Sequence, residues 1–470
     1  MREPPEQPGA AFLRLALPMM VSRAGLAGMG IADGIMVARY SPAQLAFLGL
    51  SDGTLGRALD VLVALLIGGI ALAARAHAGN SPHEAGAVWR RAVGLALLTG
   101  VVVAALGLTA RWWLGWFGVA PPLVTGAAPV VAVIGVGLPL ALIAVATAVF
   151  LEAVGRAPAV AAAVVAANVL NIALNWLLIS GQFGGPALGA LGSAISTSVV
   201  RAALAAALVA YAWTLPDHAR LGVRRAPPGA VSSGGVQQRR LGYGAATTAS
   251  VMNLLGMSMT ILAGWLGTLP LAAMTALWNA LSVGALLALG MADATALRVA
   301  ATQASPPSIG TAGTRLATPG TARGTPQSAA ALGLGVTMLA LAALVVPLLV
   351  APGLVASVYA PDGPLRTALI ALLPRGGLVL LCDAVSFIFA ASLRGLGDVL
   401  WPTAIQIAVA AVLVPLAWWW AVRHGGGPGG LVTAILITSV LRASLLAARF
   451  SVRAGVAPLP GAAMRPQPAA

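Results

Sequence analysis

Long apolar stretches, broken by short polar or Gly/Pro-rich segments, run the length of this chain. Those long enough to cross a hydrocarbon core of roughly 30 Å as helices fall at about 11–38, 43–74, 88–108, 124–149, 159–180 and 187–213. A second series follows at about 241–266, 270–300, 329–350, 367–393, 400–422 and 428–448. The pattern predicts an all-α membrane protein with twelve transmembrane helices. The first stretch is too long, and too poor in small-residue cleavage signals, to be a removed signal peptide, so it counts as a span.

Pro216–Arg240 interrupts the apolar pattern with prolines, serines, glycines and arginines and divides the spans six and six. The expected organisation is an N-terminal six-helix bundle over 1–215, a cytoplasmic linker over 216–240, a C-terminal six-helix bundle over 241–453 and a cytoplasmic tail over 454–470. At an offset near 241, Thr197-Ser198-Val199-Val200-Arg201 aligns with Thr438-Ser439-Val440-Leu441-Arg442, and Gly155 falls near Gly397. An even number of spans per half relates the two bundles by an axis along the membrane normal, and such a pair encloses a central cavity and rocks around it. Ser305–Gln327, rich in Pro, Thr, Gly and Ser, reads as a flexible cytoplasmic insertion.

Composition agrees: 59% of residues are hydrophobic, only 8% are charged, and mean hydropathy is +0.93. The formal charge of +15 comes from arginine, since the chain has no lysine. With the N-terminus inside, Arg90, Arg91, Arg156, Arg224, Arg225, Arg239, Arg240, Arg298, Arg394, Arg449 and Arg453, among others, face the cytoplasm. The opposite loops then hold only Arg39, Arg111, Arg366 and Arg423. This asymmetry sets both termini in the cytoplasm of a multi-pass bacterial or archaeal inner-membrane protein. The excess charge is therefore a topology signal and a contact with anionic lipid rather than with nucleic acid. Trp112, Trp113 and Trp116, and Trp418, Trp419 and Trp420, sit beside predicted boundaries as interfacial residues do. Cys382 is the only cysteine, and the four histidines fall in or beside loops without helical pairing, so no disulfide, metal centre or other cofactor is expected. No nucleophile–base pair or nucleotide-binding loop appears, so the chain is not read as an enzyme. It is expected to act as a monomer.

The candidate chemistry is in polar residues within spans. Five carboxylates lie there: Asp33, Asp52, Asp60, Asp293 and Asp383. Arg57 precedes Asp60 by three residues, so an ion pair on one helix face is expected, with Asp52 able to share that arginine. Asp293 lies close enough to a cytoplasmic end to snorkel. Asp33 is different, because Arg23, on the same helix, is about 15 Å away along the axis. An unpaired intramembrane carboxyl group is by default functional, and one that gives up and takes on a proton suits a proton-coupled carrier. Pro18 opens the same helix and marks a place where it can bend. Asn168, Asn171 and Asn175, at spacings of three and four, share one helical face. With Thr197 and Asp33 at similar depth, they are expected to surround a pocket in the first bundle.

These residues resemble the multidrug and toxic compound extrusion (MATE) family over essentially the whole chain. The resemblance is carried by Leu17-Pro18 with Asp33 fifteen residues on, Phe150-Leu151-Glu152-Ala153-Val154-Gly155-Arg156, and Asn171-Ile172-Ala173-Leu174-Asn175-Trp176-Leu177-Leu178-Ile179. Gly189-Ala190-Leu191-Gly192-Ser193-Ala194-Ile195-Ser196-Thr197 and Leu393-Arg394-Gly395-Leu396-Gly397-Asp398 complete it. It implies a secondary antiporter that expels small organic compounds, cationic or aromatic, in exchange for H⁺ or Na⁺. In the branch named for the DNA-damage-inducible protein F, the ion site resembles Asp33, Asn171 and Thr197 here, but where that branch has a second aspartate this chain has Asn175. A hard cation prefers charged oxygens, so the departure favours H⁺ over Na⁺ as the coupling ion. Asp383 resembles an aspartate used by other branches, whose partner glutamate is missing at Val251–Leu254. It is either a second protonation or substrate site or a satisfied buried acid. Two rival readings stand. A lipid-linked oligosaccharide flippase of the same superfamily would need a cavity rich in arginine, for which Arg23, Arg57, Arg201, Arg375 and Arg442 are candidates. A non-transporting scaffold would have no central cavity and a fully paired Asp33.

Overall fold

Short connections between long apolar helices force neighbouring helices to run antiparallel. The structure, a computed structural model, is built this way and describes residues 28–67, 69–78, 82–224, 235–303 and 325–455. The first half holds α1 (28–40), α2 (Pro42–Ser51), a π-turn (Asp52–Gly56), α3 (Arg57–Ile67), α4 (Ile70–Ala78), α5 (His83–Leu108), α6 (Ala110–Trp116), α7 (Pro121–Ala153), α8 (Ala157–Ser180) and α9 (Ala190–Thr214). The second holds α10 (Gly235–Leu266), α11 (Thr268–Gln303), α12 (Pro326–Val350), α13 (Pro352–Tyr359), α14 (Gly363–Gly395), α15 (Leu400–Trp418), which ends in a π-turn (Trp419–Arg423), and α16 (Gly427–Gly455). Pro18 and Arg23 lie outside the described residues, as do most of the Ser305–Gln327 insertion and the 456–470 tail.

Among the described residues, ten helices are long and apolar enough to cross a membrane. The two expected spans missing from that number are the first, described only from residue 28, and the second. Over the expected 43–74, the chain makes α2, then a turn widened by one residue at Asp52–Gly56, then α3. Of the expected linker Pro216–Arg240, residues 225–234 lie outside the described residues, and the described part before them packs on the first half. Leu215, Leu221 and Val223 are buried beside Trp89 and Phe150, Gly86 N–H donates to Leu221 O at 2.9 Å, and α10 begins at Gly235 rather than at 241.

Side chains on the outward faces are apolar, as lipid contact requires. Leu97, Leu98, Val101 and Val102 on α5 are exposed, and Trp112 and Trp116 stand out beside its end. The core is continuous across the halves, running from Val37, Leu45 and Leu50 through Leu123 and Leu138 to Leu277, Leu369 and Leu380. The halves meet where α3 runs along α10 and α2 along α11. Glycine makes that approach possible: a Cβ on Gly49 would fall 1.8 Å from Thr275 Oγ1, and one on Gly53 would fall 2.2 Å from Thr260 Oγ1. Small residues at helix crossings are how intramembrane helices gain close packing.

At the face that carries the loops after α1, α6, α8 and α13, polar bonds tie the halves together. Arg39 Nε donates to Val358 O at 2.8 Å, Asn279 Nδ2 to Gly30 O at 2.9 Å, and Trp265 Nε1 to Phe117 O at 2.7 Å. Tyr359 completes this latch by donating to Asn279 Oδ1 at 2.8 Å. Burial pushes its phenol above the ordinary pKa, so it keeps its proton.

Candidate ion and substrate sites

Asn171 and Asn175, one turn apart on α8, face α1 and α9 together. Gly192 lets α9 come in close, since a Cβ there would fall 2.5 Å from Leu178 O. Gln44 Oε1 accepts from Ala190 N at 2.9 Å and fixes the start of α9. Asp33 on α1 is thereby clamped between two helices. Its Oδ2 accepts from Thr197 Oγ1 at 2.7 Å and its Oδ1 accepts from Asn175 Nδ2. Asn175 Nδ2 also reaches Asn171 Oδ1 at 3.1 Å, and Asn171 Nδ2 reaches Thr197 Oγ1 at 3.4 Å.

The structure thus brings Asp33, Asn171, Asn175 and Thr197 into one cluster. It is packed rather than a pocket: Asp33 is 5% exposed and both asparagines 0%. The reason is that the side chains are short and bond to each other, which draws α1, α8 and α9 together. Asn168 shares their face but lies two turns from Asn175, bonds Val164 O at 2.8 Å and abuts Gly28. One atom of the cluster stands out: among the described residues, buried Asn175 Oδ1 has no hydrogen-bond partner.

Among the described residues none forms an ion pair with Asp33 within 4.0 Å, although Arg201, one turn beyond Thr197 on α9, acts on it through space. The same guanidinium acts on Asp52 and Asp60. The expected Arg57–Asp60 pair is not formed. The widened turn at Asp52–Gly56 re-aims the helix just before Arg57, and the guanidinium instead lies against α10, where a Cβ on Gly256 would fall 3.0 Å from its Cζ. Asp293 has an interaction partner, as befits a structural acid.

Arg57 there borders a cavity of about 310 Å³. Its other walls come from the second half: Met252, Leu255 and Met259 on α10, Trp278 and Leu281 on α11, Leu380 on α14, and Thr438, Ser439 and Arg442 on α16. Asp383 reaches the same cavity but is paired: its Oδ1 takes an ion pair from Arg442 and a hydrogen bond from Ser439 Oγ at 2.8 Å. Arg442 Nε also donates to Ser386 Oγ at 3.3 Å.

Of the candidate arginines, Arg57 and Arg442 line this cavity, Arg201 and Arg375 do not, and Arg23 is outside the described residues. A wall with two arginines, one already neutralised, is not the arginine-rich surface that a pyrophosphate needs. The scaffold reading fails on the cavity itself. Sequence reasoning had Arg57 and Arg442 among the arginines that a cavity could present, but it missed Met259 and Trp278 as lining residues, which neither charge nor spacing sets apart from the other apolar positions of a span.

Residues 18–177 match the MatE family. The chain is 33% identical over 451 residues to a probable multidrug resistance protein NorM of Caulobacter vibrioides, an alignment that takes in 93% of this chain and 90% of that protein. The fold superposes on an inward-facing conformation of a multidrug resistance MATE family transporter with a TM-score of 0.79 at 18% identity, over 95% of this chain and 99% of the other. An outward-facing conformation of such a transporter superposes with a TM-score of 0.66 at 20% identity, over 95% and 96%.

Proposed function

The chain belongs to the multidrug and toxic compound extrusion family and is a multi-pass multidrug efflux transporter, and on that premise we propose that it expels small organic compounds in exchange for protons taken up and released by Asp33. The observation that carries this reading is a buried carboxyl group that, among the described residues, is hydrogen-bonded by neutral donors only and lies next to an unpartnered amide oxygen.

The chemistry follows from the donor set. As a carboxylate, Asp33 accepts from Asn175 Nδ2 and Thr197 Oγ1. Once protonated it must donate, and rotation of the Asn175 amide by half a turn offers its free Oδ1 as the acceptor. That exchange breaks the Asn175–Asn171 bond within α8 and replaces the charge-assisted bond that ties α1 to α8 with a weaker neutral one, which loosens the clamp on α1. A sodium ion favours a site with several charged oxygens, whereas Asp33 is the one carboxylate in this cluster and its other members are neutral. Na⁺ therefore remains the less favoured ion. The site pattern resembles the branch named for the DNA-damage-inducible protein F, while the relative quoted above carries a NorM name.

We assign the substrate to the second-half cavity, where Trp278, Met252 and Met259 suit a flat aromatic body. A contiguous contact path links it to Asp33. Gly30 and Gly34 on α1 both meet Asn279 on α11, whose neighbour Trp278 forms the cavity wall. With both termini in the cytoplasm, the latch through Arg39, Asn279 and Tyr359 closes the outer face, in keeping with the higher likeness to an inward-facing relative. Protonation from outside would loosen α1 in the outward-open state, and proton release inside would restore the clamp. Residues 1–215 and 241–453 act as the rocking bundles of a monomer.

A pH gradient imposed across proteoliposomes in sodium-free buffer tests this. It is expected to drive accumulation of a fluorescent aromatic drug, and accumulation driven by a Na⁺ gradient alone would overturn it.

A further inference from the structure

Charge on the cavity wall is uneven. Arg57, Arg442 and Asp383 are the ionisable groups that line it. Arg442 and Asp383 neutralise each other through their ion pair, and Ser439 and Ser386 satisfy further bonds of that pair. Arg57 is left over. Asp52 and Asp60 on its own chain segment act on it through space, but among the described residues none forms an ion pair with it within 4.0 Å, and its side chain makes no hydrogen bond. Its guanidinium is laid against the bare backbone of Gly256, where any Cβ would crowd it at 3.0 Å. A planar five-donor cation is thus presented at the edge of a chamber whose lining, apart from Ser282, Thr438, Ser439 and the paired Asp383 and Arg442, is apolar and includes an indole ring.

We infer that this cavity selects compounds carrying an anionic group, a carboxylate above all, on an aromatic or apolar body, with Arg57 as the residue that receives the anion. This rests on the assignment of substrate to that cavity. The guanidinium fork matches a carboxylate with two parallel hydrogen bonds, and the apolar walls remove the water that would screen the pair. A compound bearing only positive charge meets two arginines on the lining and a single carboxylate, Asp383, that is already paired. The expected preference is therefore for carboxylates and zwitterions over the purely cationic compounds that the family resemblance suggests. Because the path from Asp33 to the cavity runs through helix contacts at Asn279 rather than through competition of like charges, an anionic cargo is compatible with proton exchange.

The test compares two dyes that differ in one group: rhodamine B, which carries a free carboxylate, and its ethyl ester, which is cationic only. Binding to the purified full-length protein is followed by fluorescence polarisation without any ion gradient, so a failure of proton coupling does not affect the result. The wild type is expected to bind rhodamine B more tightly than the ester. Arg57→Gln should weaken rhodamine B roughly tenfold or more, the scale of a lost hydrogen bond to a charged group, and leave the ester within about twofold. Arg57→Lys should retain part of the preference, since it keeps the charge but loses the fork, and Trp278→Ala should weaken both dyes alike. Equal or tighter binding of the ester, a parallel loss of both dyes in Arg57→Gln, or binding of neither dye would overturn the inference.

Discussion

At the scale of single residues, the first-bundle cluster was legible because helical spacing alone aligns Asn171 with Asn175 and sets Asp33 and Thr197 at matching depth. What spacing did not reveal is that these groups satisfy one another so fully that no pocket remains between them. Arg57 was misread for a local reason: the three-residue spacing to Asp60 assumes a regular helix, and the widened turn before it breaks that assumption. In the proposed mechanism, Asn175 is the position that separates the two coupling ions. Asn175→Asp would set a second carboxylate beside Asp33, so a cation bound between them would relieve the repulsion of two like charges. The expected outcome is transport stimulated by Na⁺, measured as drug efflux from proteoliposomes with and without the ion. A variant still indifferent to Na⁺ would mean that the cluster geometry, not the missing carboxylate, sets ion choice.

At the scale of elements, span positions were readable from apolar run length, whereas the division of the second span was not. Nothing in hydropathy distinguishes a helix from one carrying an extra residue in a single turn. Contacts between the halves were also hidden, since glycine close approach at Gly49 and Gly53 depends on which helix lies opposite. The latch is the element that must open for the outer face to part. Tyr359→Phe removes one of its hydrogen bonds, a net change of about 1 kcal/mol, or about fivefold in a two-state equilibrium. Spin labels at Phe183→Cys and Leu354→Cys, both exposed, in a Cys382→Ser background should report a longer-distance population that grows severalfold in the Tyr359→Phe protein. An unchanged distance distribution would contradict a latching role.

At the scale of the whole molecule, the repeat seen in sequence becomes a shared device. Arg201 on α9 acts on the Asp33 carboxyl and its counterpart Arg442 on α16 pairs with Asp383, while the hydroxyl on the acid comes from Thr197 in one half and, one position on, from Ser439 in the other. The acids themselves come from helices that do not correspond, α1 in one half and α14 in the other. Among the described residues, one half thus leaves its acid without a close ion pair and the other locks it to arginine, in keeping with the proposed division into a proton site in the first half and a substrate chamber in the second. That division makes Asp33 the point at which the two duties are joined. The most direct test is the proton flux that follows substrate addition to proteoliposomes containing the wild type or Asp33→Asn. The wild type should move protons against substrate whether or not Na⁺ is present, and Asp33→Asn should abolish that flux while still binding substrate. Proton flux that survives in Asp33→Asn would contradict the account.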